Sequence, residues 1–226
     1  MIIRDLRRFA PRAAFIAATF FVILSLALHV SSSHAAEKNK AGGSGGVLET
    51  LGMALVGSDD SGLRYHDKRA NAEIIIPPRY HVVAAKQSTQ VSYDFGIKHD
   101  SENFEVRVRY DTPDKVPAMV PETWALTMML NINGGNGDEK ELTAFAPFPP
   151  QAVREEFGAD WGFSSMPFDT GKRDPAWAIY GACQLNQVYK NKAGVYTMFR
   201  CFDPPDNDPQ KLMDLIMESF HVVRFK

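Results

Sequence analysis

Beyond Val30 the chain offers no further apolar run of bilayer-spanning length, and it contains only two cysteines and three tryptophans in 226 residues. The first absence leaves a single segment able to address a membrane. The second leaves only two thiolates, which without neighbouring histidines make a poor zinc site. The close Cys-x-x-Cys spacing of a dithiol oxidoreductase is also missing. Asn133-Gly134-Gly135-Asn136-Gly137 lacks the glycine spacing and the lysine of a phosphate loop, and no serine has a nearby partner marking a catalytic triad. His66, His81, His99 and His221 are too scattered to mark a metal centre, so neither metal nor cofactor is expected.

What is present begins with an address. Arg4, Arg7, Arg8 and Arg12 precede the apolar run from Ala13 to Val30, and Ser31-Ser32-Ser33-His34-Ala35-Ala36 supplies small residues for cleavage. This is the order of a secretory signal peptide, so residues 1–36 are expected to be removed and the working protein to lie outside the cytoplasm. That means the periplasm in a double-membrane bacterium and secretion otherwise. If the segment is retained, its roughly 18 apolar residues lie near the lower limit for a membrane tether. No cysteine stands at the cleavage region, so lipoprotein processing is excluded. Residues 37–46, ending in Gly42-Gly43-Ser44-Gly45-Gly46, read as a flexible leader.

Residues 47–226 suffice for one domain. The whole chain is formally −2, and residues 1–36 contribute +3 from four arginines and one aspartate; the remainder, with 21 basic and 26 acidic side chains, stands at −5. An exported body of that sign with scattered cations excludes a phosphate backbone as the expected partner.

The patterning predicts an α+β fold with an antiparallel sheet. Phe104, Val106, Val108 and Tyr110 share one strand face, while Glu105, Arg107 and Arg109 share the other, which is expected to meet water. Gln90–Ile97 forms the neighbouring strand, and short strands are expected at 63–66, 73–76 and 141–148. Val47–Val56 reads as a short helix weakened by Gly52. Further helices are expected from Pro121, over Gln151–Phe157, and from the cap Asp208 through Phe220, where Leu212, Leu215, Ile216 and Phe220 recur at helical spacing. The last residues, from His221, form an edge strand or extended tail.

Trp177–Lys190 and Gly194–Phe202 read as a hairpin. A three-residue loop, Asn191-Lys192-Ala193, pairs 190 with 194 and sets Cys183 opposite Cys201. A disulfide between them follows from that register, and export places it where it persists.

Two segments carry the candidate sites. Phe157, Asp160, Trp161, Phe163 and Phe168 lie in a glycine- and proline-punctuated stretch expected to be an irregular recognition loop. His99, Asp100 and Glu102 form the alternative polar site, a base or weak cation site if a turn converges them, with a polar loop as the plainer reading. A concave apolar pocket would draw on Tyr93, Phe95, Trp124 and Trp161.

The order of these elements, ending in Ser219-Phe220 and an extended His221-Val222-Val223, resembles the photosystem II extrinsic P protein and Mog1-like superfamily over about Leu63 to Phe225. The resemblance implies an αβα sandwich acting as an accessory or binding module without a catalytic centre. The glycine-rich leader, the hairpin disulfide and Phe157-Gly158-Ala159-Asp160-Trp161-Gly162 depart from that pattern, so no specific partner follows. The expected function is a noncatalytic exported module that binds another envelope or secreted protein. An extracytoplasmic hydrolase, or a binder of a small apolar or peptide ligand, is the alternative.

Overall fold

The computed structural model describes residues 44–116, 121–133, 145–171, 174–203 and 208–226, all within one compact unit. The signal segment, the start of the leader, the 134–140 loop and the first residues of the 141–148 strand lie outside the described residues.

Two antiparallel sheets form the frame. The smaller orders β1 (Met53–Asp59), β2 (Gly62–Asp67), β3 (Ala72–Ile76) and β12 (Val223–Phe225). The larger orders β4 (Tyr80–Ala84), β5 (Phe95–His99), β6 (Phe104–Asp111), β11 (Gly194–Phe202), β10 (Ala182–Lys190), β8 (Trp161–Ser165) and β7 (Phe145–Pro147), with β9 (Phe168–Asp169) also pairing β10. Helices α1 (Ser44–Thr50), α2 (Pro121–Asn133), α3 (Pro150–Phe157) and α4 (Pro209–Glu218) complete an α+β architecture of the αβα sandwich kind.

Each face of the larger sheet covers its own core. Val106, Val108, Tyr196, Met198 and Phe202 enter one cluster with the smaller sheet, Phe157 of α3 and Ile216 of α4. Leu185, Phe199 and both cysteines enter the other with Met128, Met129 and Ile132 of α2 and with Trp177. A sheet covered on both sides cannot keep its polar face in water, and this corrects the expectation for β6. Glu105 and Arg107 are buried and Arg109 only partly exposed.

The β10–β11 hairpin matches the sequence reading in register. Lys190 pairs Gly194, Cys183 pairs Cys201, and the two cysteines are bonded across a Cα separation of 4.1 Å. The strand, however, starts at Ala182, because Trp177 to Gly181 turn instead of extending. Gln90–Asp94 likewise stays irregular and only Phe95–His99 joins the sheet. At the other end of the chain, α1 stops at Thr50, Gly52 adopts φ +80°, and Met53–Val56 becomes strand rather than helix.

Helix α4 starts where its cap predicts: the Asp208 carboxylate accepts from the Lys211 amide at 3.0 Å, and Pro209 occupies the first turn. Its far end explains the Ser219-Phe220 pair physically. Arg200, fully buried, donates from Nη2 to the carbonyls of Ser219 and Phe220 at 3.0 and 3.1 Å, satisfying acceptors that a helix end leaves open. Burial pushes the Arg200 guanidinium down to about 10. Tyr196 ties the two sheets together, its hydroxyl donating to the buried Asp67 carboxylate of β2 at 2.7 Å.

Candidate functional site

Three different partners divide the expected polar site. His99 is buried, and its Nδ1 accepts from the amides of Ser101 and Glu102 at 3.2 and 3.0 Å. Asp100 Oδ1 meets His81 Nδ1 at 2.7 Å, and Glu102 Oε2 meets Lys211 Nζ at 2.8 Å. No base and acid converge on a common reacting position here, so the turn reading accounts for these residues.

Two backbone donors on Nδ1 place the proton of neutral His99 on Nε2, which is buried without a hydrogen-bond partner. Burial, reinforced by Arg79, lowers its pKa below the ordinary value, although Glu218, Glu102 and Asp100 pull the other way. A histidine depressed in the folded state contributes stability in full above its unfolded pKa of about 6.5; that stability is lost as pH falls through that value toward the folded one. Urea midpoints at about pH 7.5 and pH 5 should therefore differ more for the native protein than for His99→Gln. Equal pH dependence of the two proteins would refute the assignment.

The aromatic segment is more regular than its glycines and proline suggest. Gly158 closes α3 at φ +59°, and Trp161–Ser165 then runs as β8 against β10, with Trp161 opposite Tyr189 and Phe163 opposite Gln187. The irregular-loop expectation is corrected by this pairing, since hydrogen bonding to a neighbouring strand overrides local turn chemistry. The helix end, its cap and the two strands that follow send the side chains to separate places. Phe157 is buried against Phe148 and Phe220 in one core, whereas Phe163 and Phe168 are buried in the other. Asp160 is exposed and its carboxylate accepts from the Asn191 amide at 2.8 Å. Trp161 remains half-buried, packed edge-on to Phe163 with ring centroids 5.1 Å apart. Only Asp160 and Trp161 of the five therefore reach solvent. The proposed apolar pocket is not assembled either, because Phe95 lies in the core opposite the one holding Tyr93 and flanked by Trp124 and Trp161.

A buried ionic cluster was not visible in the sequence. Arg107 is enclosed by Tyr93, Trp177 and Tyr180, its guanidinium carbon 4.9, 4.6 and 5.3 Å from their ring centroids. Its Nε donates to Glu105 Oε1 at 3.3 Å, and Tyr180 donates to Glu105 Oε2 at 2.8 Å. Burial and the Glu105 charge push the Tyr180 phenol well up. Beside it, Asp174 accepts from the Ser88 hydroxyl at 2.7 Å and from the Thr89 and Ala176 amides at 2.8 Å each. Burial acts to raise the Asp174 carboxyl, but these hydrogen bonds outweigh it and leave the group below its usual value. Together the two carboxylates fasten the 88–91 and 174–180 segments onto the sheet. Periodic charge in β6 gave the residues, but the cover over them comes from segments about 15 and 70 positions away in sequence.

Exposed apolar groups mark a different region. Leu55 and Val56 of β1 are 55% and 57% exposed, and Ile179 stands alone at 41%. Among the described residues β1 ends its sheet, pairing only β2, and every residue from Ala54 to Asp59 is exposed. Among the described residues, no cluster of three or more metal-ligating side chains occurs and no helix is long and apolar enough to cross a membrane.

Fold and surface thus define a mixed α+β protein with an enclosed polar interior and an open sheet edge. No family model matches the chain and no curated protein matches it. Among solved structures, the chain is similar to the solution structure of cyanobacterial PsbP (CyanoP) from Synechocystis, at 12% identity and a TM-score of 0.45, over 75% of this chain and 95% of that one.

Proposed function

We propose that the chain is a noncatalytic, extracytoplasmic accessory module that binds another envelope or secreted protein. The observation that carries this reading is the seven-residue strand β1, which among the described residues is paired along one side only and bears the exposed Leu55 and Val56. Unpaired strand edges with apolar side chains are recognition surfaces or aggregation hazards, and soluble proteins rarely leave one unguarded without use. The Cys183–Cys201 disulfide supports an oxidising compartment, periplasmic or secreted according to the host. The half-buried Trp161, with Asp160 beside it, is the second surface, retained because an accessible indole supplies contact area at little entropic cost.

Affinity capture from the host envelope extract tests this, using the protein as the host exports it and two variants. We expect a reproducible partner whose yield falls about tenfold or more for Leu55→Lys with Val56→Lys, equivalent to about 1.4 kcal/mol of binding. Loss confined to Trp161→Ala would move the recognition surface to β8. Equal capture by all three proteins would remove both surfaces.

A further inference from the structure

We propose that β1 recognises its partner by strand addition, taking up an extended segment that carries apolar residues followed by a lysine or arginine pair. This rests on the protein-binding reading above and adds the chemistry of the partner. Seven strand residues expose about 20 Å of edge, and alternate residues direct their N–H and C=O groups outward, away from β2. Such an edge is complementary to extended backbone and to no other regular element.

Two of the usual guards, lysine and proline, are absent from Met53–Asp59, although a third, a bulge, interrupts the strand. The irregularity in the pairing falls between Leu55 and Gly57, and at that point two consecutive apolar side chains stand in solvent. Apolar contact is therefore available along the middle of the strand, where a partner's alternate side chains would lie.

Charge selects among extended partners. From Val47 to Gly62 the chain carries Glu49, Asp59 and Asp60 and no basic residue. Asp59 and Asp60 stand at the β1–β2 turn, where Asp59 accepts from the Ser61 amide at 2.9 Å and meets Arg64 at 2.7 Å, and Asp60 is exposed. Arg64 offsets one of the two aspartates, and Glu73, which it also meets, is balanced by Lys226, so the turn keeps a net negative charge. The other end is mixed, with Lys68 in the turn after Asp67, the residue that pairs Met53. A cationic end therefore belongs against Asp59–Asp60. A second copy of this chain fits less well than a cationic segment: parallel pairing would stack the two acidic turns, and antiparallel pairing would set each turn against an end of mixed charge, carrying Glu49 as well as Lys68.

The test uses a fluorescein-labelled peptide, Thr-Val-Thr-Val-Thr-Lys-Lys, and the exported protein, with binding read by fluorescence anisotropy. Saturable binding is expected, weakened at least tenfold by Leu55→Lys with Val56→Lys, severalfold by Asp60→Lys, and abolished by N-methylation of alternate peptide amides. Far-ultraviolet circular dichroism establishes that each variant is folded. Binding that survives N-methylation overturns strand addition, and equal binding of a Glu-Glu-ended peptide overturns the charge preference. A dimer in sedimentation that dissociates with the double lysine variant would overturn the choice of partner in favour of a second copy. The two readings fail separately. If envelope capture depends on Leu55 and Val56 but the cationic peptide does not bind, the partner chemistry fails and the protein-binding reading stands; if capture is also indifferent to these residues, the edge itself is excluded.

Discussion

Glu105→Ala is expected to destabilise the fold by about 3–5 kcal/mol, the range for removing one member of a buried ion pair. Arg107 is fully buried, and its Nη1 already lacks a hydrogen-bond partner. Without the Glu105 carboxylate, the guanidinium would keep only the faces of Tyr93, Trp177 and Tyr180, and Tyr180 would lose the acceptor of its 2.8 Å hydrogen bond. Urea unfolding should show a lower midpoint for Glu105→Ala. The paired replacement Glu105→Leu with Arg107→Met should recover most of the loss, because removing both charges also removes their desolvation cost. If the double variant is as unstable as Glu105→Ala, the cost comes from packing and not from the orphaned charge.

Cys183→Ala with Cys201→Ala should cost about 3 kcal/mol in the chain-entropy account, since the bond closes a loop of sequence separation 18. Both sulfurs are fully buried beside Trp177 and Phe199, so a small cavity adds to that cost. The hairpin itself should persist, because β11 is also paired to β6 from Val195 to Phe202 and β10 to β8. Thermal unfolding of the oxidised protein, the protein in reductant and the double variant measures the effect. Reductant should act only as the protein unfolds, since native packing leaves no path to the sulfurs. Rapid reduction without loss of structure would show that the core around Trp177 opens on its own.

The sequence carried the hairpin furthest. Strand patterning on both sides of a three-residue turn fixes register, and register alone sets Cys183 against Cys201. The helix start at Asp208-Pro209 was equally legible, because capping and the fixed φ of proline act within one turn. Local physics of this kind is written in adjacent residues. The ordering of elements also sufficed for the αβα class.

Only the tertiary structure decided what covers the second face of β6. Alternation states that Glu105 and Arg107 oppose Val106 and Val108, but it is silent on whether that side meets water; Trp177, Tyr93 and α2 settle it from distant positions. The same limit applies to the candidate sites. Adjacent in sequence, His99, Asp100 and Glu102 point to a backbone turn, to His81 and to Lys211 respectively. Phe157, Phe163 and Phe168 are drawn into two opposed cores because a helix cap and a strand pairing intervene between them. The open edge of β1 belongs to this second kind as well. A strand's outer hydrogen-bonding groups are free or satisfied according to which neighbour the fold supplies, and here the described residues supply one neighbour, on one side.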